Sequence, residues 1–266
     1  MSTKTLPLHF DKITTQKVEA DWLTENDVSL DVLRLDLLHP IVSGNKWFKL
    51  QYYIKEALLL EKPTIATFGG AYSNHILATA FACKAYGLQS VGFIRGEKPE
   101  DYSTTLQQAE EYGMQLIFIN RDQYKLKEKV ADEFKQFNWY WIAEGGYGST
   151  GAKGAADILK YAANTSYTHI IASVGTGTML AGLISAAQPL QQVVGISSMK
   201  GNTLLEKAVE HLINADGTTA SFKIIHDYHF GGYAKHPAEL VDFIEEAFQK
   251  HDLPLDIVYT GKLFMQ

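Results

Sequence analysis

Short β-rich runs alternate with helical patterns through most of this 266-residue chain. The runs TIATF, SVGFI, QLIFI, HIIAS and QVVGI are each followed by apolar residues at helical spacing. This alternation predicts parallel sheets covered by helices on both faces. The same pattern predicts a strand over residues 28–37 and irregular structure over 222–235. In such folds, ligands bind where the carboxyl ends of strands lead into helices.

The composition argues against some classes of binding partner. The net charge of −6 and the pI near 5.8 argue against a nucleic-acid or polybasic membrane surface. The N-terminal MSTKTLPLHF lacks the apolar core of a signal peptide, and Cys83 is the single cysteine. We therefore expect a cytoplasmic globular protein that acts on small molecules, without nucleic acid, membrane or cysteine-based metal cluster.

The segment SVGTGTMLAG (173–182) joins a predicted strand to a helix. Gly175 and Gly177 allow the backbone to approach a ligand, while Thr176 and Thr178 add hydroxyl donors beside the positive end of the helix dipole. This pattern favours phosphate binding, although the third glycine of a dinucleotide fingerprint is missing. The alternative is a tight strand-to-helix turn that uses glycine for its geometry.

The segment SGNKWFKL (43–50) predicts a helix with two lysines in its first turn. A cation there is unfavourable because the N-terminal end of the helix dipole is positive. Lys46 also lies one turn before Leu50, on the side of the helix that is expected to face the core. Burial and the dipole favour the neutral amine, which attacks carbonyl carbon. The alternative is a lysine that extends to solvent. A reactive lysine together with a phosphate loop is what pyridoxal 5′-phosphate (PLP) requires.

Three further loops carry polar side chains. In FGGAYSNH (68–75), Ser73 and Asn74 are ordinary helix caps, yet with His75 they also place a hydroxyl, an amide and an imidazole at a strand's carboxyl end. The glycine-rich AEGGYGSTGAKGA (143–155) is either an inter-domain loop or a substrate-lining loop. HDYHFGGYAKH (226–236) lacks the carboxylate–histidine spacing of zinc enzymes, so we expect no metal there and a loop, including Tyr233, that closes over a ligand.

In order along the chain, SGNKWFKL, FGGAYSNH, EGGYG, SVGTGTMLAG, FGGYAKHPAEL and YTGK resemble the 1-aminocyclopropane-1-carboxylate (ACC) deaminase/D-cysteine desulfhydrase family of fold-type II PLP enzymes. The resemblance implies an α/β fold like the tryptophan synthase β subunit, with two domains, each a mostly parallel twisted sheet flanked by helices. Residues 1–48 and 152–266 would form a larger cofactor domain and residues 49–151 a smaller one, with PLP in the cleft between them. It also implies a homodimer.

The resemblance assigns the cofactor contacts residue by residue. Lys46 would bond the aldehyde of PLP, and Lys49 would hold its phosphate together with the loop Gly175–Thr178, that is, Gly175, Thr176, Gly177 and Thr178. Asn74 would contact the pyridoxal 3′-oxygen, and Thr260 would lie near the pyridine nitrogen. The phosphate loop departs from the Gly-Ser-Gly-Gly-Thr of many relatives.

The resemblance also assigns the substrate side to Ser73, Asn74, His75 and Tyr233, with Lys46, Ser73 and Tyr259 as catalytic residues. Deaminases of the family usually have Gln and Glu where this chain has His75 and Thr260. This favours a D-cysteine desulfhydrase-like β-elimination in amino-acid metabolism, which gives pyruvate, ammonia and sulfide.

Three alternatives stay open at this stage. The first is ACC deamination. The second is a noncatalytic PLP- or phosphate-binding protein, because the sequence stops shortly after YTGK (259–262), where relatives continue through a helix and a strand with a His-Thr-Gly-Gly motif. The third is a nucleotide-binding module.

Overall fold

The computed structural model describes residues 8–162, 166–213 and 220–265, and these fall into two compact units. The first contains the residues up to Thr14 together with Arg34–Gly154, and the second contains Thr15–Leu33 and the residues from Ala155 onward. Residues 34–48 thus group with 49–154, whereas the sequence-based boundary placed residues 1–48 with the C-terminal part. Which unit carries the cofactor stays a prediction.

The described part of the chain contains strands β1 to β9 and helices α1 to α11. The strands are Thr15–Val18, Leu30–Leu33, Thr64–Gly69, Gln89–Arg95, Met114–Ile119, Trp139–Ile142, His169–Val174, Gln192–Ser197 and Ser221–Ile225. The helices are Asp21–Glu25, Asn45–Leu59, Asn74–Tyr86, Thr104–Glu111, Arg121–Tyr124, Lys127–Glu133, Ser149–Ala156, Thr178–Ala186, Leu205–Glu210, Ala238–His251 and Thr260–Phe264. Short 3₁₀ helices cover Phe10–Lys12, Leu35–Leu38, Glu144–Gly146 and Asp157–Tyr161. No helix within the described ranges is long and apolar enough to cross a membrane.

The first unit is built on a parallel sheet with the order β5-β4-β3-β6. Strand β3 is buried along its whole length, as expected of a strand with helices on both faces. One face carries a core around Phe68 and Phe93, and the other packs Ile94 and Met114 against helices α3 and α4. The predicted parallel sheet with flanking helices is therefore confirmed in this unit.

The second unit contains a parallel sheet in the order β7-β8-β9 and an antiparallel pair, β1 with β2. Val174 at the end of β7 lies opposite Ser197 at the end of β8, so the loops after both strands leave the same edge of the sheet. Helix α8 begins at Thr178, directly after this edge. The loop predicted to bind phosphate therefore lies at the carboxyl ends of parallel strands.

Two secondary-structure predictions were wrong in part. The strand predicted over 28–37 is confined to Leu30–Leu33, and a 3₁₀ helix follows at Leu35–Leu38. The segment predicted to be irregular over 222–235 begins with β9, Ser221–Ile225. Strand β9 is half-exposed at the sheet edge and includes Lys223, so its apolar pattern is weak.

Candidate active site

Helix α2 begins at Asn45 and carries both lysines of the SGNKWFKL segment. The preceding Gly44 has φ of +60°, and no side chain caps the first turn. Lys46 is half-buried, with its Nζ atom 2.9 Å from Asn45 Oδ1. Lys49 is the more buried of the two, at 6% exposure. The inward lysine expected at Lys46 is thus found one turn later, since the buried face of the helix already begins at Trp47.

The amine of Lys49 is held inside the first unit. Its Nζ donates to the carbonyl oxygen of Gly145 at 2.6 Å. Burial lowers the pKa of Lys49 well below its usual value, and the neighbouring charge of Lys46 lowers it further. Lys49 therefore has the lowered pKa of a buried amine, and the neutral amine expected at Lys46 stays a prediction.

The FGGAYSNH loop joins β3 to helix α3. Ser73 caps this helix by accepting a hydrogen bond from the N–H of Ile76 at 3.4 Å, as the capping alternative expected. A Cβ atom at Gly69 would lie 2.4 Å from Ile76 Cγ1, so only glycine allows the chain to turn this closely. Asn74 begins the helix and is exposed.

His75 is only 2% exposed, and its Nε2 atom lies 3.0 Å from the hydroxyl of Thr67. Thr67 in turn donates to the carbonyl of Ile142 at 2.9 Å. His75 Nδ1 is buried and has no hydrogen-bond partner in the described part of the chain. Burial, followed by the charges of Lys49 and Lys46, lowers the pKa of His75 well below its usual value. This imidazole is therefore neutral at physiological pH.

Gly145 and Gly146 complete this cluster. Both have positive φ angles, 67° and 71°. A Cβ atom at Gly146 would lie 3.5 Å from Lys49 Cβ and 3.6 Å from His75 Cε1. The fold thus brings together three separate motifs: the lysine helix, the FGGAYSNH loop and the EGGYG segment. Sequence reasoning missed Thr67, because a buried threonine in a strand carries no signal of its own.

In the second unit, the Gly175–Thr178 loop runs from β7 into α8. Gly177 has φ of +85°, and a Cβ atom there would lie 2.8 Å from Val209 Cγ2. The hydroxyl oxygens of Thr176 and Thr178 are 3.2 Å apart, so both face the same side of the loop. Hydroxyls and free N–H groups at a helix N-terminus are suited to an anion.

Tyr259 lies against this loop. A Cβ atom at Gly175 would be 3.3 Å from Tyr259 Oη, so the absence of a side chain at Gly175 makes room for the phenol ring. The ring of Tyr233 packs edge-on against that of Tyr259, with centroids 6.2 Å apart. The structure therefore brings together three predicted site residues from distant parts of the sequence.

Thr260 follows Tyr259 and is tied to Asp256, which sequence reasoning missed. The Asp256 carboxylate accepts from the N–H groups of Val258, Tyr259 and Thr260 at 2.9, 2.8 and 3.0 Å. The hydroxyl of Thr260 donates to the same carboxylate at 2.8 Å. The sequence does contain a signal for Asp256: it lies four residues before Thr260, where a short helix begins, and Asp commonly caps turns and helices.

The three histidines of residues 226–236 have separate partners. His226 pairs with Glu206 at 2.7 Å, and this pairing lowers the pKa of Glu206. His229 Nδ1 accepts from the N–H of Gly231 at 3.0 Å, while His236 Nδ1 lies 2.9 Å from the carbonyl of Ala234. Two of them therefore serve local turn structure.

Each unit, taken by itself, carries groups that suit one part of a phosphorylated aldehyde cofactor. The first unit supplies two neighbouring amines and an unpartnered buried imidazole nitrogen, and the second supplies hydroxyl and N–H donors beside an aromatic ring. Amines react with aldehydes, and such donors bind phosphate. The fold and these side chains define an α/β enzyme of the kind that uses PLP.

The comparison with family models agrees. The chain belongs to the pyridoxal-phosphate dependent enzyme family, whose model matches residues 13–265. The expected fold class, enzyme class and PLP cofactor are thereby confirmed.

Named relatives include both activities suggested by the sequence. A Thermotoga maritima protein named "Putative 1-aminocyclopropane-1-carboxylate deaminase" is 30% identical, over 99% of this chain and 88% of the relative. An Arabidopsis thaliana protein named as a bifunctional, mitochondrial D-cysteine desulfhydrase/ACC deaminase is 28% identical, over 89% of this chain and 66% of the relative. A crystal structure of an ACC deaminase homologue superposes with a TM-score of 0.79 at 25% identity, over 95% of this chain and 82% of that chain. The family resemblance is confirmed.

Proposed function

We propose that this PLP enzyme removes the β-substituent of a small amino acid, as a D-cysteine desulfhydrase does, and that water then hydrolyses the elimination product, so that pyruvate, ammonia and sulfide are released. The observation that supports this most is that the chain has the uncharged Thr260 where deaminases of the family usually have glutamate. A glutamate beside the pyridine nitrogen keeps that nitrogen protonated and makes the cofactor a strong electron sink. With an uncharged side chain there, the cofactor is a weaker electron sink. Such a sink suffices to expel a good leaving group such as thiolate.

The cofactor supplies the electron sink for the negative charge that develops at the substrate α-carbon. In the proposal, Lys46 would bond the cofactor aldehyde, Lys49 and the Gly175–Thr178 loop would bind its phosphate, and Asn74 would bind the 3′-oxygen. Lys49 would leave the Gly145 carbonyl to make this contact.

On the substrate side, Lys46 Nζ, freed from the cofactor when the substrate amine takes its place, or Ser73 Oγ would take up the α-proton. Ser73, His75 and Tyr233 orient the amino acid, and Tyr259 lies beside the reacting atoms. The buried, neutral His75 supports this assignment because it offers a hydrogen-bond acceptor without adding charge.

ACC deamination is the second candidate, and the ACC deaminase names of the relatives favour it. The two activities differ in the position equivalent to Thr260, where a glutamate would support opening of an unactivated ring. The proposal also includes a cytoplasmic location and a homodimer. Light scattering on the purified protein tests the homodimer.

Visible absorption of the purified protein is the first test. We expect a yellow band that Lys46→Ala abolishes and that the control Lys55→Ala, an exposed lysine on the same helix, leaves unchanged. A colourless wild-type protein that stays colourless with added PLP contradicts the role of Lys46.

Pyruvate release from D-cysteine, L-cysteine and D-serine, and 2-oxobutyrate release from ACC, then separate the activities. D-cysteine should react best. Turnover of ACC alone would replace the proposal with the second candidate.

A further inference from the structure

Lys262 is a buried lysine to which the site described above gives no role. It lies in α11 and is only 1% exposed. Its Nζ atom donates to the carbonyl of His229 at 2.9 Å and to that of Gly232 at 2.7 Å. Burial lowers the pKa of Lys262, while the charge of Asp256 acts in the opposite direction. An amine can donate to two carbonyls in either charge state, so these contacts do not depend on protonation.

The loop that Lys262 binds has an unusual backbone. Phe230, Gly231, Gly232 and Ala234 all have positive φ angles, of 49°, 88°, 119° and 56°. Two of these residues carry a Cβ atom, for which this conformation is strained. Strained conformations persist only where surrounding contacts fix them. Lys262 binds the carbonyl of His229, directly before the strained part, and that of Gly232, inside it.

The same loop places Tyr233 against Tyr259. Tyr233 follows Gly232 directly, and its ring packs on that of Tyr259 with centroids 6.2 Å apart. Tyr259 precedes α11, where Asp256 binds its N–H at 2.8 Å. Lys262 therefore connects the helix that follows Tyr259 to the loop that precedes Tyr233, and Tyr259 lies against Gly175.

We propose that Lys262 is a positioning residue that fixes the Tyr233–Tyr259 pair beside the Gly175–Thr178 loop and so shapes the wall against which the cofactor and the amino-acid substrate lie. This inference rests on the proposed function, because that function assigns Tyr259 and the loop to the site. The inference adds Lys262 to the proposed site as a residue that contacts neither the cofactor nor the substrate and acts through the backbone carbonyls that it binds.

The test uses Lys262→Met, which keeps the length of the side chain and removes its N–H donors. The matched control is Lys250→Met, an exposed lysine of α10 in the same unit. Hydrogen exchange, measured by mass spectrometry on the cofactor-free proteins, should become about tenfold faster over residues 229–235 in Lys262→Met, as expected for the loss of buried hydrogen bonds. Exchange in β7 and β8 should be unchanged, and the control should match the wild type throughout.

Kinetics of the PLP-loaded proteins give the second measurement. We expect kcat of Lys262→Met to fall about tenfold, with a smaller change in KM, because a displaced Tyr259 affects the reacting atoms more than substrate capture. Lys262→Gln retains N–H donors on a shorter side chain, so its exchange rate and its kcat should lie between those of the wild type and Lys262→Met. It replaces the Met variant if that variant does not fold.

Unchanged exchange over residues 229–235, or a kcat within twofold of the wild type, would overturn the inference. Exchange that rises equally in β7 and β8 would also overturn it, since Lys262 would then merely stabilise the unit. A wild-type protein that binds PLP without turnover would instead count against the proposed function, and the exchange experiment would still test the Lys262 contacts.

Discussion

The Nε2 atom of His75 lies 3.0 Å from the hydroxyl oxygen of Thr67, inside a fully buried part of the first unit. Because Thr67 donates its single hydroxyl proton to the carbonyl of Ile142, its oxygen can only accept from His75. The proton of the neutral imidazole is therefore on Nε2, and Nδ1 carries a free lone pair. One threonine in strand β3 thus selects the tautomer of a candidate substrate-binding residue.

Thr67→Val removes this acceptor while keeping the shape of the side chain. We expect unfolding in urea to show a loss of about 1–3 kcal/mol, because His75 Nε2–H is left buried without a partner. Nitrogen-15 chemical shifts of the His75 ring should show the Nε2–H tautomer in the wild type and a mixture in the variant.

Thr79→Val is the matched control for that experiment. Thr79 is also fully buried, and its hydroxyl has no hydrogen-bond partner among the described residues. Replacing it with valine should leave stability unchanged or raise it. Equal losses in both variants would show that the Thr67–His75 hydrogen bond contributes nothing.

The lowered pKa of His75 makes stability depend on pH. Below the usual histidine pKa of 6.5, the unfolded chain takes up a proton that the folded protein does not bind, so stability falls as the pH drops from 6.5 towards the folded pKa. His75→Gln should flatten this part of the curve. His39, whose pKa is lowered in the same direction, should leave a residual slope.

Urea unfolding between about pH 5 and 7.5 checks the predicted pH dependence of stability, because unperturbed histidine titrates in this range. His236→Gln, which changes an exposed histidine of the other unit, is the matched control variant. A His75→Gln curve parallel to that of the wild type would contradict the buried neutral imidazole.

Lys49→Met should separate stability from cofactor binding. Methionine removes a buried amine whose pKa is lowered, so the cofactor-free protein should gain about 1–2 kcal/mol in stability near pH 7 despite the loss of the Gly145 hydrogen bond. The gain should shrink as the pH rises towards 10.5, because the lysine then loses its proton in the unfolded chain as well, and burying the neutral amine no longer costs a deprotonation.

The same variant should bind PLP at least about tenfold more weakly if Lys49 holds the phosphate. The control Lys55→Met changes an exposed lysine of the same helix and should affect neither property. Thermal unfolding and a PLP titration followed by absorption give both measurements. Unchanged PLP affinity would remove Lys49 from the cofactor site.

Gly154→Ala tests the packing of helix α7 on α2. A Cβ atom at Gly154 would lie 1.9 Å from the carbonyl oxygen of Phe48, so the helices must separate, at a cost of about 1–3 kcal/mol in unfolding free energy. Gly70→Ala is the control, because the nearest atom to its Cβ, Arg95 Nη2, is 4.0 Å away. Equal stability of the two variants would contradict the packing at Gly154.

The sequence predicted the fold class because the required information is local. Alternation of β-rich runs with helical periodicity identifies parallel strands and covering helices from the residues themselves, and the loops after β3 and β7 follow from that order. Strand β9 was missed because a half-exposed edge strand has a weak pattern. The 3₁₀ helix at Leu35–Leu38 was missed because an apolar run with alternating charge fits a strand equally well.

By itself, then, the sequence determined the parallel architecture, the family motifs and the loops that carry chemistry. Only the tertiary structure decided that Lys49 rather than Lys46 is the more buried amine, that Thr67 sets the tautomer of His75, and that Lys262 binds the loop before Tyr233. The physical reason is that a buried polar group needs a partner, and the partner is often far along the chain. Gly145 lies 96 residues from Lys49, and no local pattern records such a pair.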